Sequence, residues 1–413
     1  MIRRPLLKSL AAAALSALAA LTTVAANAAP AAREARIIPN QYIVVLDAKT
    51  IPRGELAQGI RTLAQTVLTA VGGGVVLNHY ESALLGFSAR ITPLQAAALA
   101  QLPFVAHVEA DQIMTASATQ TGATWGLDRV DQRALPLNGT YIYRDQGGAG
   151  VHVYVIDTGL NPNHSEFTGR VGTGRNFASN STGFLCVNFG FNCAAPVATN
   201  TTDCNGHGTH VSGTSVGTAY GVAKKATVHA VRVLGCGGSG TNEGVIAGVD
   251  WVRANSVKPA VANMSLGGGD SPALDTAVQN LIASGVAIAV AAGNDSANAC
   301  TGSPNKVPQA ITVGSTTNTD AMSSFSNFGA CVDVFAPGSN ITSANYANNT
   351  GSSVLSGTSM ASPHVAGALA LLLGQTPGAT PADLAITLLG DATAGALTGL
   401  GAGSPNALLY TAH

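Results

Sequence analysis

Four polar motifs in this sequence carry side chains that could share one chemistry. Val153-Tyr154-Val155-Ile156 is a run of buried-strand type, and Asp157-Thr158-Gly159 follows at its carboxyl end. An ionised aspartate beside such a strand needs a partner. Asn205-Gly206-His207-Gly208-Thr209-His210 joins glycines to two histidines at a helix start. Ala291-Ala292-Gly293-Asn294 sets an amide just after another apolar run. Gly357-Thr358-Ser359-Met360-Ala361 leads through Ser362-Pro363-His364 into a long apolar helix. Ser359 therefore sits at a helix N-terminus, where the dipole favours developing negative charge.

These pieces fit nucleophilic acyl chemistry. A serine hydroxyl is a weak nucleophile until a histidine takes its proton. That histidine must be held in one tautomer, which a buried aspartate can do. The tetrahedral intermediate carries an oxyanion that needs preorganised donors. Asp157, His207 and Ser359 supply the first three groups, and the Asn294 side chain with the Ser359 N–H the last. Singly, each has a plainer reading. Asp-Thr-Gly after a strand is a turn or cap, a serine before a helix is an N-cap, and Gly-Asn is a turn. Their joint occurrence, in the order Asp, His, Asn, Ser, favours catalysis. A chain that only binds peptides would require damage to at least one of Asp157, His207, Asn294 or Ser359, and all four are present.

Two other motifs mislead. Gly213-Thr214-Ser215-Val216-Gly217 fits the G-x-S-x-G of lipases and esterases. It continues the helix that starts at His207 and lacks the strand-to-helix elbow. Gly235-Cys236-Gly237-Gly238-Ser239-Gly240 fits G-x-G-x-x-G after a strand. It opens no helix at its last glycine, so it does not read as a dinucleotide site.

The elements that must position these residues form two domains. Residues 37 to 113 give strands over Tyr42 to Leu46, Val75 to Asn78, Leu85 to Ile91 and Phe104 to Glu109. Helices are expected over Glu55 to Val71, with Leu56, Ile60, Leu63 and Val67 on one face, and over Leu94 to Leu102. The order β-α-β-β-α-β is that of a small ferredoxin-like α+β unit. Ile113 to Thr124 reads as an exposed linker, and Trp125 opens the second domain. There, apolar strands (Val151 to Ile156, Thr227 to Val233, Ala260 to Met264, Val286 to Ala292, Ala310 to Val313) alternate with helical segments (His207 to Val216, Thr241 to Asn255, Pro272 to Ser284, Ser359 to Leu373). Such alternation predicts an α/β domain, a mostly parallel sheet with helices on both faces. Its ligand crevice should lie at the strand carboxyl ends, where the polar motifs mostly fall.

Composition sets limits. The chain has 413 residues, 46% of them hydrophobic, only 10% charged, with a formal net charge of −1. No basic stripe suits nucleic acid. Arg3, Arg4 and Lys8, then an apolar run from Leu10 to Val24, then Ala26-Asn27-Ala28, read as an export signal over residues 1–28. The competing reading, a membrane anchor, needs an apolar run of about 20 residues. No stable membrane insertion is expected, and the product should be extracellular. The six cysteines are Cys186, Cys193, Cys204, Cys236, Cys300 and Cys331. An even number in an exported chain favours disulfides; without a C-x-x-C pair, zinc is disfavoured.

From Trp125 onward the chain resembles the subtilisin-like serine peptidases, which share its triad order. The resemblance rests on Val155 to Gly159, Asn205 to His210 and Ser356 to His364. Trp125-Gly126-Leu127-Asp128-Arg129 and Val261 to Gly268 are similar to the proteinase K subfamily, closest to its aqualysin-like branch. The resemblance implies a monomeric serine endopeptidase with no catalytic cofactor, using Asp157, His207 and Ser359 as triad and Asn294 as oxyanion donor. It implies a cleft in which Gly238, Ser239, Gly240 and Ser265, Leu266, Gly267, Gly268 flank an extended polypeptide substrate by β-augmentation. Ala291, Ala292 and Gly293 would line the primary pocket; being small and uncharged, they predict a preference for apolar or aromatic residues. Residues 29–117 resemble the family's inhibitor-type propeptides, which assist folding and cap the cleft. The peptidase domain would then be 118–413, with a mature start near Ala118 and roughly 295 residues. Structural calcium is implied at Asp333 with the carbonyls of Pro308 and Ala310. A second calcium set resembles Asp128, Asp131 and Gln132, although Asn138 and Thr140 depart from it. The alternative is that Asp128 and Asp131 pair with Arg129 or Arg133 at the surface. Cys204–Cys236 and Cys300–Cys331 match the branch's bridges; Cys186 and Cys193 match none of them and are left to close a small loop.

Overall fold

The computed structural model describes residues 37–47, 49, 59–112, 117–178 and 196–411. The export segment, residues 55–58 of the first expected helix, and Cys186 and Cys193 lie outside them. Contacts divide the chain into two units, with the boundary after Met114.

The first unit runs β1 (Ile37–Leu46), α1 (Ile60–Ala70), β2 (Val75–Glu81), β3 (Leu85–Arg90), α2 (Pro93–Leu99) and β4 (Val105–Gln112). Its antiparallel sheet has the order β2-β3-β1-β4, as the β-α-β-β-α-β pattern predicts. Ile60, Leu63, Val67 and Leu68 turn one face of α1 onto Val44 and Phe87. Three successive glycines, Gly72 to Gly74, adopt positive φ and end that helix. Thr92 and Gln95 close a capping box at the start of α2, with Pro93 in its first turn.

In the second unit, Ser117–Thr121 is not the expected linker. It is strand β5, paired antiparallel with β6 (Thr140–Arg144). Thr119 and Thr121 suit a strand, and the aromatic partner strand Tyr141-Ile142-Tyr143 decides what the polar composition obscured. Between them lies α3 (Trp125–Val130). The main sheet then forms from β7 (His152–Asp157), β8 (Arg175–Asn176), β9 (Thr227–Arg232), β10 (Ala260–Met264), β11 (Ala287–Ala291), β12 (Ile311–Thr316) and β13 (Val334–Pro337). All seven run parallel, and β16 (Thr393–Ala394) and β17 (Ala407–Leu408) extend the edge beside β13. A hairpin, β14 (Ile341–Ala344) and β15 (Ser352–Leu355), stands apart from this sheet.

β7 is central, with β9 on one side and β10 on the other. Strand order therefore reverses there, which opens a crevice at the carboxyl ends. Residues alternate across the strand. Val153 and Val155 face α4 (His207–Val216) and α7 (Thr358–Gln375) through Val211, Val365 and Leu369. Tyr154 and Ile156 face α5 (Asn242–Asn255) and α6 (Pro272–Ala283) through Val249, Val278 and Leu281. A last helix, α8 (Pro381–Asp391), packs Leu384 and Leu388 against the first face. No helix among the described residues is long and apolar enough to cross a membrane.

Arg129 does not pair with Asp128 or Asp131. Its guanidinium is fully buried and grips Asp320, with Nε 2.7 Å from Oδ1 and Nη2 3.0 Å from Oδ2. Arg133 lies over the Tyr410 ring and donates to the Asp391 carbonyl. Asp128 and Asp131 are themselves buried, so the surface-pair reading fails. Removing one partner of a buried pair strands a charge, whereas removing both does not. Asp320→Ala is expected to cost about 3–5 kcal/mol, and Arg129→Met with Asp320→Asn to recover most of it, both read by urea unfolding.

Candidate active site

Asp157 ends β7 and is wholly buried. Its Oδ1 accepts Nδ1 of His207 at 2.7 Å and the Thr158 N–H at 2.7 Å. That bond places the Nδ1 proton and leaves Nε2 of His207 as the basic atom. Burial pulls the His207 imidazole down. The charge and hydrogen bond of Asp157 and the charge of Asp203 outweigh it and hold the ring above its ordinary value.

Ser359 lies in the first turn of α7. Its carbonyl would ordinarily accept the N–H of residue 363, but Pro363 has none. Ser265, just past β10, supplies the missing donor through Oγ at 2.8 Å. The Ser359 hydroxyl donates in return to the Ser265 carbonyl at 3.1 Å. Behind this exchange Asn263 donates to Ser265 Oγ at 2.9 Å, and Ser362 Oγ donates to Asn263 at 2.8 Å. The Ser359 hydroxyl is thus tied to Ser265 in this structure.

Asn294 follows β11. Its Oδ1 accepts the Thr358 N–H at 2.8 Å and the Thr358 hydroxyl at 3.0 Å, which turns Nδ2 the other way. A Cβ added to Gly357 would lie 3.6 Å from both Asn294 Nδ2 and Ser359 N. The two donors therefore border one small space.

Two recesses adjoin along Leu266, Gly267 and Gly268. The first, about 390 Å³, has His207 on its wall together with Gly238, Ser239, Gly240 and Ser265. The second, about 520 Å³, is lined by Ala291, Ala292, Gly293, Asn294 and Ser359. Every expected cleft residue thus falls in one of them. Sequence reading missed Asp295, an exposed carboxylate on the second wall. It also missed Asn327, whose Oδ1 accepts Asp295 N and Ala297 N while Nδ2 donates to the Ala292 carbonyl. That strap leaves no room for a side chain at Gly293, whose φ is +103°. The two false motifs are explained as well. Ser215 is fully buried inside α4, and Gly238 to Gly240 are cleft wall.

The expected metal ligands fare differently. Asp333 Oδ2 accepts the Thr312 N–H at 2.8 Å, and burial raises this carboxyl to about 6. A desolvated carboxylate with one oxygen to spare suits a hard cation. Asp128 accepts the Asn138 and Gly139 N–H groups, and Asp131 accepts that of Ile142. Burial above all, then the Asp128 charge, lifts Asp131 to about 7 despite that bond. The two carboxylates would suit a cation. Gln132 has its Nε2 tied to the Ala134 and Pro136 carbonyls and its main-chain oxygen to Arg129 Nη1, which leaves Oε1 alone to offer. Among the described residues no three acidic, His or Cys side chains converge as a metal cluster. Cys204–Cys236 and Cys300–Cys331 are bonded.

Comparison with known proteins shows the family. Residues 148–404 match the model of the subtilase family, and residues 41–117 that of the peptidase inhibitor I9 family. An extracellular serine proteinase of Thermus sp. (strain Rt41A) is 52% identical over 360 residues, covering 87% of this chain and 82% of that protein. Alkaline serine exoprotease A of Vibrio alginolyticus is 49% identical over 382 residues, covering 91% and 68%. The crystal structure of a cold-adapted subtilisin-like serine proteinase superposes with a TM-score of 0.64 at 52% identity, covering 70% of this chain and 99% of that one.

Proposed function

The chain belongs to the subtilase family and is a serine proteinase; we propose that its nucleophile is Ser359, with His207 as general base and Asp157 as the group that orients it. The observation that carries this reading is the 2.7 Å bond from His207 Nδ1 to a fully buried Asp157. With Nδ1 committed, Nε2 takes the Ser359 proton as Oγ leaves Ser265 and attacks the scissile carbonyl. Asn294 Nδ2 and Ser359 N stabilise the oxyanion. His207 then protonates the leaving amine, and water releases the acyl group by the same steps in reverse. An extended peptide is held by backbone pairing along Gly238 to Gly240 and Ser265 to Gly268, with its side chain before the cut entering the recess beside Ala291 and Gly293.

The zymogen reading extends this. The inhibitor-like first unit is the propeptide, domains 29–117 and 118–413 part near Ala118, and the enzyme cuts itself there. Secretion is supported by the amino-terminal export pattern and by a relative named as extracellular. A structural calcium is proposed at Asp333, with Pro308 and Ala310 as carbonyl donors. Asp128, Asp131 and Gln132 remain a second candidate set with the weaker fit described above. Calcium would offset buried charge and cross-link β12 to β13 without entering the reaction.

Four sets of outcomes test these assignments. Ser359→Ala should remain uncut at the interdomain junction and lose turnover by about 10⁶, while Asn294→Ala should lose about 10²–10³ in kcat; processing in purified Ser359→Ala protein would refute self-cleavage. Profiling on a proteome-derived peptide mixture should show apolar or aromatic residues before the cut, and a dominant preference for lysine would sink the pocket reading. Asp295→Asn should lower the residual cleavage after Lys or Arg about two- to fivefold, since an exposed charge is screened. Chelation should lower the unfolding midpoint of the wild type, and Asp333→Asn should abolish the restoration by added calcium; a midpoint indifferent to calcium would remove that site.

A further inference from the structure

We propose that Asp203 is a positioning residue for the Asp157–His207 pair, holding the first turn of α4 against the end of β7. The inference rests on the triad reading above. Asp203 is buried and touches no reacting atom. Its Oδ1 accepts the Thr158 hydroxyl at 3.0 Å and the N–H groups of Asn205 and Gly206 at 2.9 Å each. Its Oδ2 accepts the Thr209 N–H at 2.9 Å and the Thr209 hydroxyl at 2.6 Å. One carboxylate thus gathers five donors, four from the segment that carries His207 and one from the residue after Asp157.

Thr158 is the hinge of this arrangement. Its N–H goes to Asp157, its hydroxyl donates to Asp203, and the same oxygen accepts the Gly208 N–H at 2.8 Å. The acid that orients the imidazole and the helix that carries the imidazole are therefore fixed to each other through Thr158 and Asp203. The first-turn N–H groups of α4 need outside acceptors, and Gly206 at the cap has no side chain to offer. A carboxylate there also suits the positive end of the helix. An uncharged acceptor could fill the same bonds less well, and it could not act on His207 at a distance.

That last point separates positioning by a charge from mere structural support. Among the described residues, the charged and titratable groups that act on His207 are Asp157 from β7, Asp203 from the preceding loop and His210 from α4 itself. Arg232 faces Asp203 from β9. Asp203 is a net negative neighbour that favours the imidazolium formed when His207 holds the serine proton. Removing its charge should move the acid limb of kcat/KM to lower pH, because His207 then stays neutral to lower pH.

The test is Asp203→Asn in the full chain, with kcat/KM followed against pH. The expected result is a plateau about ten- to a hundredfold lower and an acid limb displaced to lower pH. The same displacement should appear in the His207 ring resonances in a Ser359→Ala background, where no activity is needed. An acid limb and ring titration unmoved from wild type would overturn the proposal, whatever happened to the plateau. If Asp203→Asn does not fold, Thr158→Val, which keeps the charge and cuts the tie, decides: a several-fold lower kcat at unchanged KM supports the proposal, and wild-type kcat overturns it. Ser359→Ala and His207→Ala are measured alongside; turnover surviving in either defeats the triad reading itself and is distinct from a failure of Asp203.

Discussion

The fully buried carboxylate of Asp157 is the constraint on which this site depends. A charge taken out of water is tolerated only with partners of good geometry. Here they are an imidazole and a backbone N–H, each at 2.7 Å. The sheet creates the problem, because β7 is central and covered on both faces, so its last residue ends in the protein interior. It also supplies the answer. Strand order reverses beside β7, and the crevice this opens brings the start of α4 to the strand end. A buried anion that must have a partner, and a histidine that must have one tautomer, satisfy each other.

The serine side of the site follows a second unmet need. Pro363 deprives the Ser359 carbonyl of its helical donor, and Ser265 Oγ takes that place at 2.8 Å. A proline in the first turns of a helix is tolerable where an outside group restores the bond. The restored bond ties α7 to the end of β10, with Asn263 and Ser362 fully buried beneath. Ser359 is thereby held by strand β10, His207 by β7, and the two strands are neighbours in the sheet. Their relative placement is inherited from sheet register.

Much of this could be read from residue types. The apolar runs ending at Asp157, Met264 and Ala291 declared themselves as parallel strands, and Gly-flanked His207 and Ser359 stood out at helix starts. β5 did not, because its pairing depends on Tyr141 and Tyr143 more than twenty positions away. The short β13 and the β14–β15 hairpin went unread for the same reason, since each is defined by a partner. Arg129 was misassigned because sequence proximity favoured Asp128 and Asp131, while the buried partner, Asp320, is 191 positions distant. Asp203 sits in an unremarkable Thr-Asp-Cys-Asn stretch. Only the fold reveals that five donors converge on it.

The cleft itself has a consequence for regulation. Its walls are largely glycine, alanine and backbone, from Gly238 to Gly240, Ser265 to Gly268 and Ala291 to Gly293. On the proposed reading, such walls recognise main chain, which every polypeptide has, and recognise side chains weakly. Discrimination of about 1–3 kcal/mol is what an apolar pocket can offer between similar residues. An enzyme built this way cannot rely on its own pocket to spare the cell that makes it. Restraint has to come from outside the cleft, by holding the enzyme silent until it is delivered. The match of residues 41–117 to an inhibitor family supplies that restraint within the same chain. Broad recognition and a covalently attached inhibitor are, on this argument, two consequences of the same backbone-lined cleft.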